Sequence, residues 1–182
     1  MQIKIVLGVV AITALSSIAA WAEDNDHNNV KFFASSVVGS TPGVTTAGVA
    51  AGGAPWTVRA AAADVVPNGK ILVKLVGLLI AAAQGVPANL VGTVGPVTEV
   101  AASLVCGGSG GTVAASTGGF PLAATGDATI AANITLPAEC QSPVVLVRIF
   151  DPTAAANAQL GAFIALTGFQ QITTPSHDDD SN

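Results

Sequence analysis

The amino-acid sequence predicts an all-β protein, an Ig-like β-sandwich of seven to eight strands with a flexible N-terminal arm. Three observations predict it. Apolar and polar residues alternate with a period of two in several short runs, the mark of half-buried strands. The runs recur at spacings of about ten residues. Gly and Pro, 20 and 10 of the 182 residues, punctuate the intervals between them. A β-barrel is the second architecture compatible with this pattern, and no repeat of solenoid length is seen.

Taken in order, residues 1–22 read as a signal peptide. Lys4 precedes an apolar run from Ile5 to Leu15, and Ala20-Trp21-Ala22 offers small residues where signal peptidase needs them, so the cut is placed after Ala22. The later apolar stretch ILVKLVGLLIAAA, from Ile71, is too short to span a bilayer and contains Lys74, so no membrane span is expected after cleavage. The expected location is secreted or in the cell envelope.

Residues 23–55 read as a flexible arm and linker. ASSVVGSTPGVTTAGVAAGGAP (34–55) is built of small residues without helical period. Only Val30–Val38 within it has the character of a strand, one able to add to the sheet of a neighbour.

The predicted β domain runs over 56–170. WTVRAAAADVV and KILVKLVGLLI flank Pro67-Asn68-Gly69, a hairpin signal because Asn and Gly both tolerate positive φ. In the second run Ile71, Val73 and Leu75 share one face, while Lys70, Lys74 and Val76 share the other. VTEVAASLVC puts Val100, Ala102, Leu104 and Cys106 opposite Glu99 and Ser103. DATIAANITL puts Ala128, Ile130, Ala132, Ile134 and Leu136 inward, with Asp127, Thr129, Asn133 and Thr135 outward. PVVLVRIF follows, with Val145, Val147 and Ile149 opposite Arg148. QLGAFIALTGF is assigned to a strand by its length and its glycine boundaries. AAAADVV and DPTAAANAQL are the two stretches able to hold a helical turn. Residues 171–182 read as an acidic disordered tail.

Cys106 and Cys140 are the only cysteines. An even count in an exported chain predicts a disulfide between them. They stand inside a wider pattern: Trp56, ASLVCGG, GDATIAANITLPAEC, SPVVLVRIF and a closing AFIALTGF. Over residues 54–169 this layout resembles a group of exported bacterial β-rich proteins without an assigned activity. The resemblance implies a small extracytoplasmic β domain with paired cysteines, and it implies no catalytic residues.

Charge narrows the function further. Charged residues are 9 % of the chain, and the 11 acids and 6 bases are unevenly placed. Glu23, Asp24 and Asp26 lie near one end and Asp178, Asp179 and Asp180 near the other. Between them Asp64, Glu99, Asp127, Glu139 and Asp151 balance Lys31, Arg59, Lys70, Lys74 and Arg148. A neutral body has no basic footprint for nucleic acid or for an anionic membrane surface. Surfaces with little net charge tend instead to associate.

Gly107-Gly108-Ser109-Gly110-Gly111 matches the G-x-S-x-G turn that presents a serine nucleophile. That turn requires a strand before it and a helix after it, whereas Thr112-Val113 is a β-type continuation. The only histidines, His27 and His177, lie in the polar ends. Ser109 is therefore read as part of a glycine turn. The five body carboxylates lack the aromatic platforms of a glycosidase cleft, and His177-Asp178-Asp179-Asp180 offers a cation no fixed geometry. Asn133-Ile134-Thr135 matches a glycosylation acceptor but lies on the best-defined strand. No catalytic residue, cofactor or metal is expected. The sequence reads as a non-catalytic exported domain with a structural or surface-interaction role, by self-association or with a protein partner. The alternative is a small apolar-ligand binding module with a pocket between its sheets.

Overall fold

The computed structural model describes residues 33–167. The expected signal peptide, the N-terminal acidic cluster and the acidic tail lie outside these residues. Thirteen strands and no α-helix are found among them. The strands are β1 (Phe33–Gly39), β2 (Thr45–Thr46), β3 (Val49–Ala50), β4 (Trp56–Thr57), β5 (Ala60–Val65), β6 (Lys70–Val76), β7 (Leu79–Ile80), β8 (Glu99–Cys106), β9 (Thr112–Ser116), β10 (Phe120–Pro121), β11 (Ala128–Asn133), β12 (Val144–Phe150) and β13 (Leu160–Thr167).

The all-β class is as expected, but seven or eight strands in an Ig-like sandwich is not the arrangement observed. One antiparallel sheet runs in the order β10-β8-β12-β13-β1-β5-β6-β11, with β9 also on β8, and it curls around the main core. The strand at the curl is β1. Its first half, Phe33 to Ser36, pairs with β5, and its second half, Val37 to Gly39, pairs with β13. The inner faces of the two halves meet. Ile71, Val73, Leu75 and Ile130 from one half pack with Val100, Leu104, Val145, Val147 and Ile164 from the other. These alternate with outward residues as the period-two reading requires.

The expected hairpin forms between β5 and β6, in register from Ala60↔Val76 to Val65↔Ile71. The Gly69 N–H donates to the Val66 carbonyl and the Val66 N–H to the Lys70 carbonyl. Of the two turn residues only Gly69 has positive φ, at 85°. AAAADVV is strand rather than helix, because its alternate residues Ala63 and Val65 are wholly buried against β6. DPTAAANAQL forms successive turns, opened by Asp151, whose Oδ1 accepts from the Thr153 N–H and hydroxyl.

The largest correction concerns residues 33–55, which the sequence assigns to a flexible arm. β1 is a central strand, so the domain begins no later than Phe33 rather than at Trp56. Each of its halves is also paired within its own chain, one with β5 and the other with β13, which removes residues 33–38 as a strand to donate to a neighbour, while residues 30–32 lie outside the described ones. The following segment forms a cover. β2 and β3 pair as a small ladder, Ala47 donates its N–H to the Ser109 carbonyl, and the Gly52 N–H donates to the Phe163 carbonyl. Beneath this cover Val105, Val144, Leu146 and Phe163 form a second core, joined by Ala47, Val49 and Ala51. That is why β8 and β12 are buried on both faces along most of their length. Small residues suit a thin layer lying close on a sheet: a Cβ on Gly52 would already stand 3.3 Å from Ile164 Cγ2.

At the end of β1, Ser40 is 2 % exposed and its Oγ is buried without a hydrogen-bond partner. Its backbone is engaged, donating to Ile164 and accepting from Trp56. An unpartnered buried hydroxyl costs free energy. Ser40→Ala is accordingly expected to raise stability by about 1 kcal/mol, read as a shift in urea midpoint without a change in slope.

Candidate functional site

Ser109 lies in a single 3-10 turn, Gly108–Gly110, entered through Gly107 at φ 96°. Strand β9 follows it, so the strand–turn–helix geometry of a nucleophile elbow is not formed. The glycine turn is instead a junction. The Gly107 and Gly108 N–H groups donate to the Gln141 and Ser142 carbonyls at 2.6 and 3.0 Å, and the Ser109 carbonyl accepts from Ala47 at 2.7 Å. Beside it Cys106 and Cys140 lie at disulfide distance, with Cα atoms 4.9 Å apart. The bridge ties the end of β8 to the loop entering β12. Its two residues are 34 positions apart, so restricting the unfolded chain is worth roughly 3–4 kcal/mol. Cys106→Ser with Cys140→Ser is expected to lose about that much in chemical denaturation.

The body carboxylates are dispersed. Asp64 is on β5, Glu99 opens β8, Asp127 precedes β11, Glu139 precedes Cys140 and Asp151 follows β12. Among the described residues no group of three or more His, Cys, Asp or Glu could hold a metal ion. Asp127 and Asp151 build turns. The Gly77 N–H and then the Thr125 hydroxyl, bonding at 2.8 and 2.9 Å, hold the Asp127 carboxyl below its ordinary pKa, with a smaller contribution from Arg59. The Thr153 hydroxyl and backbone do the same for Asp151. Both oxygens of Asp127 are thus occupied in tying the β6–β7 connection to the turn before β11.

Asp127 also borders a surface cleft of about 540 Å³ with Thr57, Arg59, Gly77, Leu79 and Thr125. The sequence reading missed this cleft, because nothing in local spacing brings Arg59 and Asp127 together across the sheet. Arg148 lies where the β12–β13 ladder shifts register. Its Nε and Nη2 donate to the Gly161 and Leu160 carbonyls at 2.8 and 2.7 Å, and burial lowers its pKa. It clamps an irregular stretch of sheet. Between the sheet halves, where the alternative reading places an apolar ligand, Ile71, Val73, Leu75, Ile130, Val100, Leu104, Val145, Val147 and Ile164 pack together.

The surface with most scope for contact is the outside of β1-β5-β6-β11. Ser36, Ala62, Lys74 and Thr129 form one row across it, and Ala34, Asp64, Leu72 and Ala131 the next. All but Asp64 and Leu72 are exposed, and most are short. The corresponding outer face of β8-β12-β13 carries the cover made by residues 44–51.

The two ends of the sheet also differ. β10 contains Pro121, and β9 carries an irregularity where Val105↔Val113 follows Leu104↔Ala115, leaving Ala114 as an extra residue. β11 has neither proline, charge nor bulge, and its register with β6 is unbroken from Ala128↔Leu75 to Asn133↔Lys70.

Comparison with protein-family models, with curated proteins and with solved structures finds no match to this chain. No helix among the described residues is long and apolar enough to cross a membrane.

Proposed function

We propose that this chain is an exported, non-catalytic β domain with a structural or surface-interaction role, acting by contact between copies. The observation that carries this reading is the open outer face of β1-β5-β6-β11. Its exposed positions Ala34, Ser36, Ala62, Thr129 and Ala131 carry short side chains, while the other half of the same sheet is covered by the chain's own residues 44–51. A body in which five acids balance five bases opposes such contact weakly. The cysteine pair supports an extracytoplasmic setting, where disulfides persist.

The test is light scattering on the full-length chain, expressed with its own N-terminus in an exporting host, over a concentration series at physiological salt. A mass that rises above that of one chain is expected. A single-chain mass throughout would overturn the reading and turn attention to ligands and other partners.

A further inference from the structure

We propose that the Cys106–Cys140 bridge is a redox latch for the cover. Oxidation fastens residues 44–51 over the outer face of β8, β12 and β13; reduction by a dithiol frees the tip of the cover and lays Val105, Val144 and Leu146 open. The latch does not depend on copies associating. The cover is fastened at its base and at its tip. At the base the Gly52 N–H donates to the Phe163 carbonyl of β13 at 2.8 Å. At the tip, between β2 and β3, the Ala47 N–H donates to the Ser109 carbonyl at 2.7 Å. The apolar share of the fastening is small. Ala47, Val49 and Ala51 are what the cover packs on Val105, Val144, Leu146 and Phe163, and apolar burial stabilises in proportion to the area removed from water. The tip is therefore sensitive to where the Ser109 carbonyl is held.

Ser109 is the one residue of the Gly107–Gly111 turn with a side chain, and glycine has the most backbone freedom to regain on release. Strands β8 and β9 fix the ends of the turn. Its middle is seated from outside, by the Gly107 and Gly108 N–H groups on the Gln141 and Ser142 carbonyls and by the bridge from Cys106 to Cys140 just before them. Gln141 and Ser142 are exposed and belong to no strand, so the covalent link is what keeps these acceptors in place. Strain lies at the same junction. Among the described residues the non-glycine residues with positive φ are Ala47, at 52°, and Ser142, at 44°. Such conformations persist only where the surroundings impose them, and they cluster at switch regions. Opening the bridge removes one of those impositions. Neither cysteine is fully buried, which leaves a small dithiol an approach to the bridge. One thiolate of the dithiol attacks a bridge sulfur to give a mixed disulfide, and its second thiolate displaces that. Cys106 and Cys140 leave as thiols, and the dithiol leaves as a disulfide. Oxidised glutathione reverses the step, taking up the two electrons and ending as two thiols. A chain exported from a reducing to an oxidising compartment closes its cover on the way.

The test is amide hydrogen exchange on the full-length chain, oxidised and after reduction with dithiothreitol, alongside binding of a hydrophobic dye. Reduction is expected to speed exchange at Ala47 about tenfold more than at Gly52 or in β6, as local opening of the tip requires. Dye binding should rise with it, and oxidised glutathione should restore both. An acceleration at Ala47 no larger than in β6 is what a bridge that only stabilises the whole domain gives, and it overturns the latch. Dye binding that stays at the oxidised level overturns the uncovering of Val105, Val144 and Leu146. Should the reduced chain fail to fold, the oxidised chain decides. Ala47→Pro removes the N–H that the tip donates and cannot adopt a φ of 52°, so it lifts the tip from the turn beside the bridge. Dithiothreitol should then reduce the folded Ala47→Pro chain several-fold faster than wild type or than Gly53→Ala, whose Cβ would meet nothing within 4 Å. Equal rates in the three overturn the latch.

Discussion

Gly39→Ala is expected to lower the stability of the domain by about 3 kcal/mol or more. Gly39 ends β1 where the chain of Trp56 crosses it, and a Cβ there would overlap the Trp56 carbonyl and stand 2.9 Å from the Thr57 Cα. The obstructing atoms are backbone, so no rotamer change relieves the overlap. They are also held in place: the Trp56 N–H donates to Ser40 at 2.9 Å, the Ser40 N–H donates to Ile164 at 2.9 Å, and Trp56 itself is buried in the core. Relief would require moving β1 or β4, and β1 joins the two halves of the sheet. Overpacking ordinarily costs about 1–3 kcal/mol. An overlap between two fixed backbones belongs at or above the top of that range, against a total stability of roughly 5–15 kcal/mol. Urea denaturation followed by Trp56 fluorescence reads the effect. Gly53→Ala is the control, since a Cβ there meets nothing within 4 Å. A midpoint for Gly39→Ala close to that of Gly53→Ala would show that the β1–β4 crossing is not as close as described.

This crossing shows where sequence reading succeeds and where it stops. Inward and outward residues of β6, β11 and β12 were legible, because period two is set by the strand itself and needs no knowledge of neighbours. The Pro67-Asn68-Gly69 hairpin was legible for the same reason. Residues 33–55 read as a linker because small side chains and glycine are shared by linkers and by thin layers lying on a sheet, and only the packing of Ala47, Val49 and Ala51 on the cluster of Val105, Val144, Leu146 and Phe163 separates the two. Val105, Val144 and Leu146 were apolar in the sequence, but the cover that buries their second face is remote in the chain. The strand order was equally hidden, since β1 lies between β13 and β5, one of them the last strand described. The negative reading of Ser109 rested on local chemistry, a β-type pair following the turn, and strand β9 does follow it.

Phe163→Ala is expected to cost about 3–5 kcal/mol, the range for removing a fully buried aromatic ring. Phe163 is wholly buried, and its surroundings come from two parts of the chain: Val105, Val144 and Leu146 of the sheet beneath, and Ala47, Val49 and Ala51 of the cover above. Those cover residues are too small to collapse into the space left by the ring, so the cavity term is kept in full. The backbone of the same residue also anchors the cover, through the Gly52 N–H at 2.8 Å. Losing the ring should therefore loosen residues 44–52 before the rest of the domain, and hydrogen exchange at the Ala51 and Gly52 amides should accelerate more than exchange in β6 or β11. Val49→Ala combined with Phe163→Ala should cost less than the two changes separately, because both side chains belong to one packed cluster. A cost below about 1 kcal/mol for Phe163→Ala, with exchange unchanged at Ala51 and Gly52, would mean that the segment does not seal this face. The sheet would then be open on the outside of both halves, and the asymmetry on which the proposed association at the β1-β5-β6-β11 side rests would be lost. Cover and contact face are in this sense one prediction, since the proposed association needs one half of the sheet closed by residues 44–52 and the other half left uncovered.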